Sequence, residues 1–473
     1  MWGPLLDQLL NRFVDLGRLT LTWPDGHTTR YGSGSGSAGG GGGGGSGDAP
    51  DIAPDIAVTL SDPAIARRLV TNPDLALGEG YMQGSLRIDG DDLRGLMRLL
   101  LINLNRPRPM VWWRRPLDLA DTALRPLMQW NDARRSKSNV AAHYDLSDAL
   151  YDLFLDADRQ YSCAYFRSPD DTLEQAQAQK KAHIAAKLAI APGMRVLDIG
   201  CGWGGMALTL ARDHGARVLG VTLSEEQHRV ARDRVRAAGL EDRVEIRLTD
   251  YRAVTGTFDR IVSVGMFEHV GLPQFETYFH KVHDLLAPDG IALIHTIGRS
   301  AAPSATSPWI RKYIFPGGYV PSMSEASKAI EATPLWLQDI EVLRLHYAET
   351  LRHWEERVSA RAAEVVAMYD ETFLRMWRYY LIASEMSFRA GRQCVFQFQL
   401  ARRVDAAPVT RDYLYPQAPA GAEAFGSLGG SVGGTLAASL GGNPGGGSRT
   451  APAAARPGAP RPSARPRPKV AAE

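Results

Sequence analysis

Three stretches of this chain end a short apolar run on residues that could hold a ligand. The most specific is VLDIGCGWGG (196–205). An apolar run enters Asp198, Gly200, Gly202, Trp203 and Gly204, and a helix-forming stretch, MALTLARDHG, follows. Glycines at a strand-to-helix turn let a ligand come close to the backbone. No GxGxxG spacing is present, so no pyrophosphate seat is expected. Asp198, two residues before the first glycine, offers a charge partner for an ammonium group. VTLSEEQ sets Thr222, Leu223 and Gln227 at the next strand tip. LTDYR sets Asp250 and Tyr251 at a third, where an adenine could stack and hydrogen-bond. Ligands in open α/β sheets bind at the carboxyl ends of the strands, so three tips with fitting chemistry point to one site.

Those tips need a sheet. RVLDIG, RVLGVTL, RVEIRLTD, FDRIVSVGM and GIALIHTIG are short apolar runs rich in β-branched residues, separated by helical stretches such as EEQHRVARDRVRAAG. That alternation predicts a parallel sheet with crossover helices over residues 136–405. QCVFQFQL adds a strand of alternating pattern that carries Cys394. The fold class is α/β, with a Rossmann-like domain preceded by a small α+β domain and followed by a disordered tail.

The glycine turn and its neighbouring tips resemble the class I methyltransferases that use S-adenosylmethionine. Many of these end the second strand on an acidic residue for the ribose hydroxyls; here the tip is VTLS, so Gln227 or a hydroxyl must serve. Further motifs narrow the resemblance: HYDLSDALYDLFLD, YSCAYF, VGMFEHVG, LIHTIG, IFPGGYVPS, HYAETLRHW and MWRYYLIASEMSFRAG. Together, in this order over residues 60–405, they resemble the cyclopropane-fatty-acyl-phospholipid synthases and the mycolic acid cyclopropane synthases. The implied reaction adds a methylene from S-adenosylmethionine across a cis double bond of a phospholipid acyl chain.

That chemistry makes three demands. An isolated alkene is a poor nucleophile, so it must be aligned with the sulfonium methyl in a dry site. The carbocation left on the chain benefits from aromatic faces. Ring closure needs a base within reach of the added methyl. The resemblance supplies a bound bicarbonate as that base, held by Cys163 (largely through its backbone), Glu268, His295, the backbone of Ile297, and Tyr347. Tyr161 and Ser162 would touch the methionine part of the cofactor. Taken singly these residues have plainer roles: a lone cysteine among aromatics is usually core filler, and a histidine at a strand end is often a satisfied core residue. Ser384 stands where many cyclopropane synthases carry a cysteine. If the cation instead loses a chain proton, the product is a methyl- or methylene-branched chain. That outcome, a different small acceptor, and a non-catalytic lipid- or nucleic-acid-binding role are the alternatives.

Composition bounds the rest. With 473 residues, 44% hydrophobic, the chain has room for two or three domains and a sizeable core. Three cysteines without a CxxC pair speak against a disulfide framework or a structural metal, and no metal is expected. The N-terminus lacks the pattern of a signal peptide, and no apolar run is long enough to span a membrane. The expected location is cytoplasmic, peripheral to the inner face of the membrane, with unsaturated phospholipid as partner and no specific nucleic acid; a homodimer is left open. Expected domain bounds are 1–105, with a glycine-rich insert at 32–47; an amphipathic connector at 106–135; the methyltransferase domain at 136–405; and a disordered tail at 406–473. The basic residues cluster late: Ser448–Glu473 carries a net +5, leaving −3 to the rest.

Overall fold

Alternating and helical patterns resolve into two sheets in the computed structural model, which describes residues 2–33, 54–106 and 148–415. The first sheet lies in the N-terminal part. Helix α1 (Trp2–Phe13) leads into strands β1 (Arg18–Thr22), β2 (Thr28–Tyr31) and β3 (Asp55–Leu60). Helices α2 (Pro63–Thr71) and α3 (Pro73–Gln83), strand β4 (Leu86–Ile88) and helix α4 (Leu93–Leu104) follow. The order is β2-β1-β3-β4, with β1 and β3 parallel and the other pairs antiparallel. Alternate residues of β1 and β3 are buried, as one-sided strands require. Helices α2 and α3 each begin at a capping side chain followed by proline: Asp62 accepts from Ala64 N, and Asn72 from Leu75 N. The glycine-rich insert falls between β2 and β3. Residues 34–53 and 107–147, which include most of the insert and the expected connector, lie outside the described residues, as do residues 416–473.

The second sheet has seven strands. Helices α5 (Asp148–Phe154) and α6 (Leu173–Lys187) precede strand β5 (Arg195–Ile199), α7 (Gly205–His214), β6 (Arg217–Thr222), α8 (Glu225–Ala237), β7 (Val244–Leu248) and β8 (Phe258–Val264). Then come α9 (Phe275–Leu285), β9 (Leu286–Arg299), α10 (Pro308–Tyr313), α11 (Met323–Glu331) and β10 (Trp336–Leu343). Helices α12 (His346–Ala360), α13 (Ala362–Met368) and α14 (Glu371–Arg389) and strand β11 (Gln393–Ala401) complete it. The order is β10-β11-β9-β8-β5-β6-β7. Strands β5 to β9 are parallel, as the alternation predicts; β11 and β10 extend the sheet antiparallel beyond β9. The order reverses at β5, which has β6 on one side and β8 on the other. That is the switch point where such sheets bind ligands.

Strand β11 is buried on both faces, and Cys394 lies in the core. Two of its glutamines bond inside the protein: Gln397 Nε2 lies 3.1 Å from His295 Nδ1, and Gln399 Nε2 donates to Lys187 O (2.6 Å) and Tyr413 Oη (2.8 Å). The expected start of the tail at residue 406 is corrected. Residues 406–415 are placed by buried Leu414, by the Tyr413–Gln399 bond and by an Arg411–Asp339 ion pair. Alanine-rich composition hid three side chains with partners.

The two sheets belong to one unit, Met1–Pro419. Helices α3 and α4 pack on α14. Trp309 of α10 lies against Gly78 of α3, where an added Cβ would meet its ring at 2.4 Å. Arg94 of α4 reaches two buried carboxylates, Glu385 (2.8 Å) and Glu355 (2.7 Å).

Candidate active site

The turn after β5 is built by glycine. Gly200 has φ +80° and Gly202 φ +55°, a region that L side chains rarely adopt. The Gly200 and Cys201 amides both donate to Val221 O (2.9 and 3.0 Å), tying this turn to the end of β6. A Cβ on Gly202 would project into open space, whereas one on Gly200 would meet Met266 at 2.8 Å. The turn therefore leaves a cavity at the switch point.

That cavity is lined by Tyr161, Ser162, Asp198, Gly200, Gly202, Trp203, Thr222, Leu223, Gln227, Asp250 and Tyr251. All the expected cofactor residues except Gly204 are thus brought together. Gly204 N-caps α7 with φ +84°, and a Cβ there would sit 3.1 Å from Ala231, so it serves helix packing while Gly205 lines the wall. Sequence reading missed Gln160, Thr249, Gly265, Met266 and His269, which also line the cavity. Gly265 and Met266 follow β8, a fourth strand ending at the same edge.

Electrostatics single out Asp198. It is 2% exposed, and its Oδ2 has no hydrogen-bond partner among the described residues. Burial pushes its carboxyl up to about 7, against the opposing charge of Lys180. Asp250 is the contrary case. Its carboxylate accepts from Arg252 Nε (2.9 Å) and Nη2 (2.7 Å); burial raises its pKa, but these bonds outweigh burial and hold it below the usual value. At the second strand tip, Thr222 Oγ1 donates to Gln227 Oε1 (3.0 Å), and Ser224 caps the helix that carries Gln227.

The residues expected to form the base pocket begin in the same segment, 264–269. Glu268 sits on the short turn Phe267–His269, and its Oε1 accepts from Ile297 N (2.6 Å). Its Oε2 is buried without a hydrogen-bond partner among the described residues, and burial raises the carboxyl to about 7. His295 O accepts from Gly265 N (2.9 Å), which joins the cofactor wall to β9. Burial, reinforced by the charges of Lys180 and Lys187, depresses His295 well below the ordinary imidazole value, so the ring is neutral. Gln397 Nε2 donating to Nδ1 leaves the ring proton on Nε2. Tyr347 lies in the first turn of α12, packed against the rings of Trp354 and Phe388. Cys163 is buried, its Sγ 3.2 Å from Ala164 O, and burial raises its thiol, so it is not a thiolate. Ser384 is half-buried on α14. None of these six lines the cofactor cavity; Glu268 and Cys163 are chain neighbours of residues that do. Among the described residues no three His, Cys, Asp or Glu side chains are grouped to hold a metal.

Residues 131–398 match the family of mycolic acid cyclopropane synthetases. The chain belongs to that family. The cyclopropane-fatty-acyl-phospholipid synthase of Escherichia coli is 39% identical over 348 residues, covering 74% of this chain and 88% of that protein. A probable fatty acid methyltransferase of Pseudomonas putida is 37% identical over 348 residues, covering 72% and 85%. Among solved structures, the mycolic acid cyclopropane synthase CmaA1, complexed with SAH and CTAB, superposes with a TM-score of 0.54 at 33% identity, covering 57% of this chain and 99% of that one. The family match ends at 398 inside β11, so residues 399–415, including Tyr413 and Leu414, are ordered structure beyond it.

Proposed function

We propose that this enzyme adds a methylene from S-adenosylmethionine across a cis double bond of a phospholipid acyl chain, closing a cyclopropane. One observation carries the reading: a ligand cavity at the switch point and the Glu268–His295 group share a single wall, residues 264–269. S-adenosylmethionine supplies an electrophilic sulfonium methyl. The cavity fits it. The unpartnered Asp198 carboxyl suits the ammonium of its methionine part, the Thr222–Gln227 pair suits ribose hydroxyls, and Tyr251 offers a face for adenine.

For the base we propose a small anion held by Glu268 and His295. His295 presents a neutral N–H donor, and Glu268 Oε2 can accept from an anion that carries its own proton, as bicarbonate does. Cys163 and Tyr347 belong to the expected set; the Ile297 amide, expected to hold the anion, donates to Glu268. Bound there, bicarbonate would supply a base for the proton lost from the added methyl. Among the described residues no helix is long and apolar enough to cross a membrane. With a substrate that resides in the bilayer, the enzyme acts as a peripheral protein at the inner membrane face.

Product analysis tests the reading. Purified enzyme is incubated with labelled S-adenosylmethionine and vesicles of cis-unsaturated phospholipid, and the acyl chains are examined by mass spectrometry and proton NMR. High-field cyclopropane protons are expected, with Ser384 in place of a thiol. Vinylidene or shifted alkene signals would instead establish a branching methyltransferase. Label absent from lipid would move the acceptor elsewhere.

A further inference from the structure

The loop at residues 160–163 carries three cofactor-lining residues, Gln160, Tyr161 and Ser162, and then Cys163. It is held from behind by two wholly buried polar side chains on α6, one helical turn apart. Gln177 Nε2 donates to the carbonyls of Gln160 (3.2 Å) and Ser162 (3.0 Å). Lys180 Nζ donates to Gln160 Oε1 (2.6 Å) and Ser162 Oγ (2.8 Å). Residues three apart on a helix share a face, so one face of α6 grips both the backbone and the side chains of the loop. The chain just upstream is anchored too: Asp156 accepts from Gln160 N (2.8 Å), and Asp158 pairs with Lys181 and Arg234.

We propose that Gln177 and Lys180 are positioning residues that clamp the 160–163 loop into the shape that binds the cofactor. A buried ammonium is costly unless it is bonded and compensated. Lys180 is bonded and only partly compensated. Its two hydrogen bonds go to the loop, Asp156, Asp158 and Asp198 oppose the cost of burial, Lys181 adds a like charge, and burial still lowers its pKa to about 8. Its charge also bears on both halves of the site, lowering the Asp198 carboxyl and depressing His295. A lysine retained for packing alone would be replaceable by an apolar residue of the same length. One retained to set the loop would not.

The proposal rests on the cofactor assignment above, and its test keeps the two apart. Full-length Lys180→Met and Gln177→Leu are compared with wild type. The measurements are calorimetric Kd for S-adenosylhomocysteine, and KM for S-adenosylmethionine and for dioleoylphosphatidylglycerol vesicles; circular dichroism checks the fold. Both cofactor constants are expected to rise at least 10-fold in Lys180→Met and at least 3-fold in Gln177→Leu, with KM for lipid within twofold of wild type. A structural role alone would lower the active fraction, and hence kcat, without moving Kd. Folded variants whose cofactor constants stay within twofold of wild type overturn the clamp; if Lys180→Met does not fold, Gln177→Leu decides. Wild-type protein that fails to bind S-adenosylhomocysteine overturns the cofactor assignment and the clamp with it.

Discussion

Asp198 and Glu268 are both buried carboxyls raised to about 7, and their neighbours give them different tasks. In the ligand-free protein a raised carboxyl pKa makes protonation stabilising. The penalty for the charged form is absent below the ordinary carboxyl value of about 4. It grows as pH rises from there and is complete above about 7. Pairing with an ammonium requires the charged Asp198. Affinity for S-adenosylhomocysteine is therefore expected to fall as pH drops below about 7, with proton release on binding near neutrality, measured by calorimetry in buffers of different ionisation enthalpy. Asp198→Asn should abolish that share of the release, weaken binding, and leave the ligand-free Tm at pH 8 at or above wild type. Glu268 and His295 are the residues proposed to hold the base. Glu268→Gln and His295→Ala should each lower kcat by about 100-fold or more, the scale of lost general-base function, with Kd for S-adenosylhomocysteine within threefold. Equal loss of cofactor affinity would place these residues in the cofactor site and remove the base pocket.

At the scale of elements, the turn between β5 and α7 decides whether a cavity exists. Gly200→Ala forces an L side chain to φ +80°, which costs roughly 1–2 kcal/mol. Its methyl would also meet Met266 at 2.8 Å. Met266 lies in the wall shared with Glu268, so the substitution is expected to reduce Tm by several degrees and cofactor affinity by more than 10-fold, read by thermal unfolding and calorimetry. Normal affinity in Gly200→Ala would mean the wall yields freely. The motif VLDIGCGWGG was legible because only a strand followed by a glycine turn places such residues there. The Gly265–Met266 wall was not, because a single glycine after an apolar run carries little signal until β8 is known to lie beside β5. The direction of β10 and β11 was equally hidden: apolar runs do not state which way a strand points.

For the whole molecule, Arg94 ties the N-terminal part to helices α12 and α14. Glu355 and Glu385 are each 2% exposed and each take Arg94; Arg378 also serves Glu355, and Arg389 serves Glu385. Helices α12 and α14, which hold these carboxylates, also carry Tyr347 and Ser384. Removing one cation of a buried network leaves charge under-compensated. The second arginines and the partial exposure of Arg94 moderate the loss, so Arg94→Met is expected to cost about 2 kcal/mol in denaturant unfolding. Unfolding should stay a single transition; two transitions in the wild type would show that the sheets melt independently.

The sequence by itself determined the parts whose signals are local: the strand–helix alternation, the glycine turn, three strand tips, and the motifs that carry the family resemblance. Each depends on backbone conformation or on side chains close together along the chain. Tertiary structure decided what depends on long-range neighbours. It left Asp198 buried with its Oδ2 unpartnered, joined Glu268 to Ile297 across 29 residues, and gave Gln397 to His295 across 102. Burial and hydrogen bonding set the protonation of these groups, and both arise only when strands distant in sequence are laid side by side.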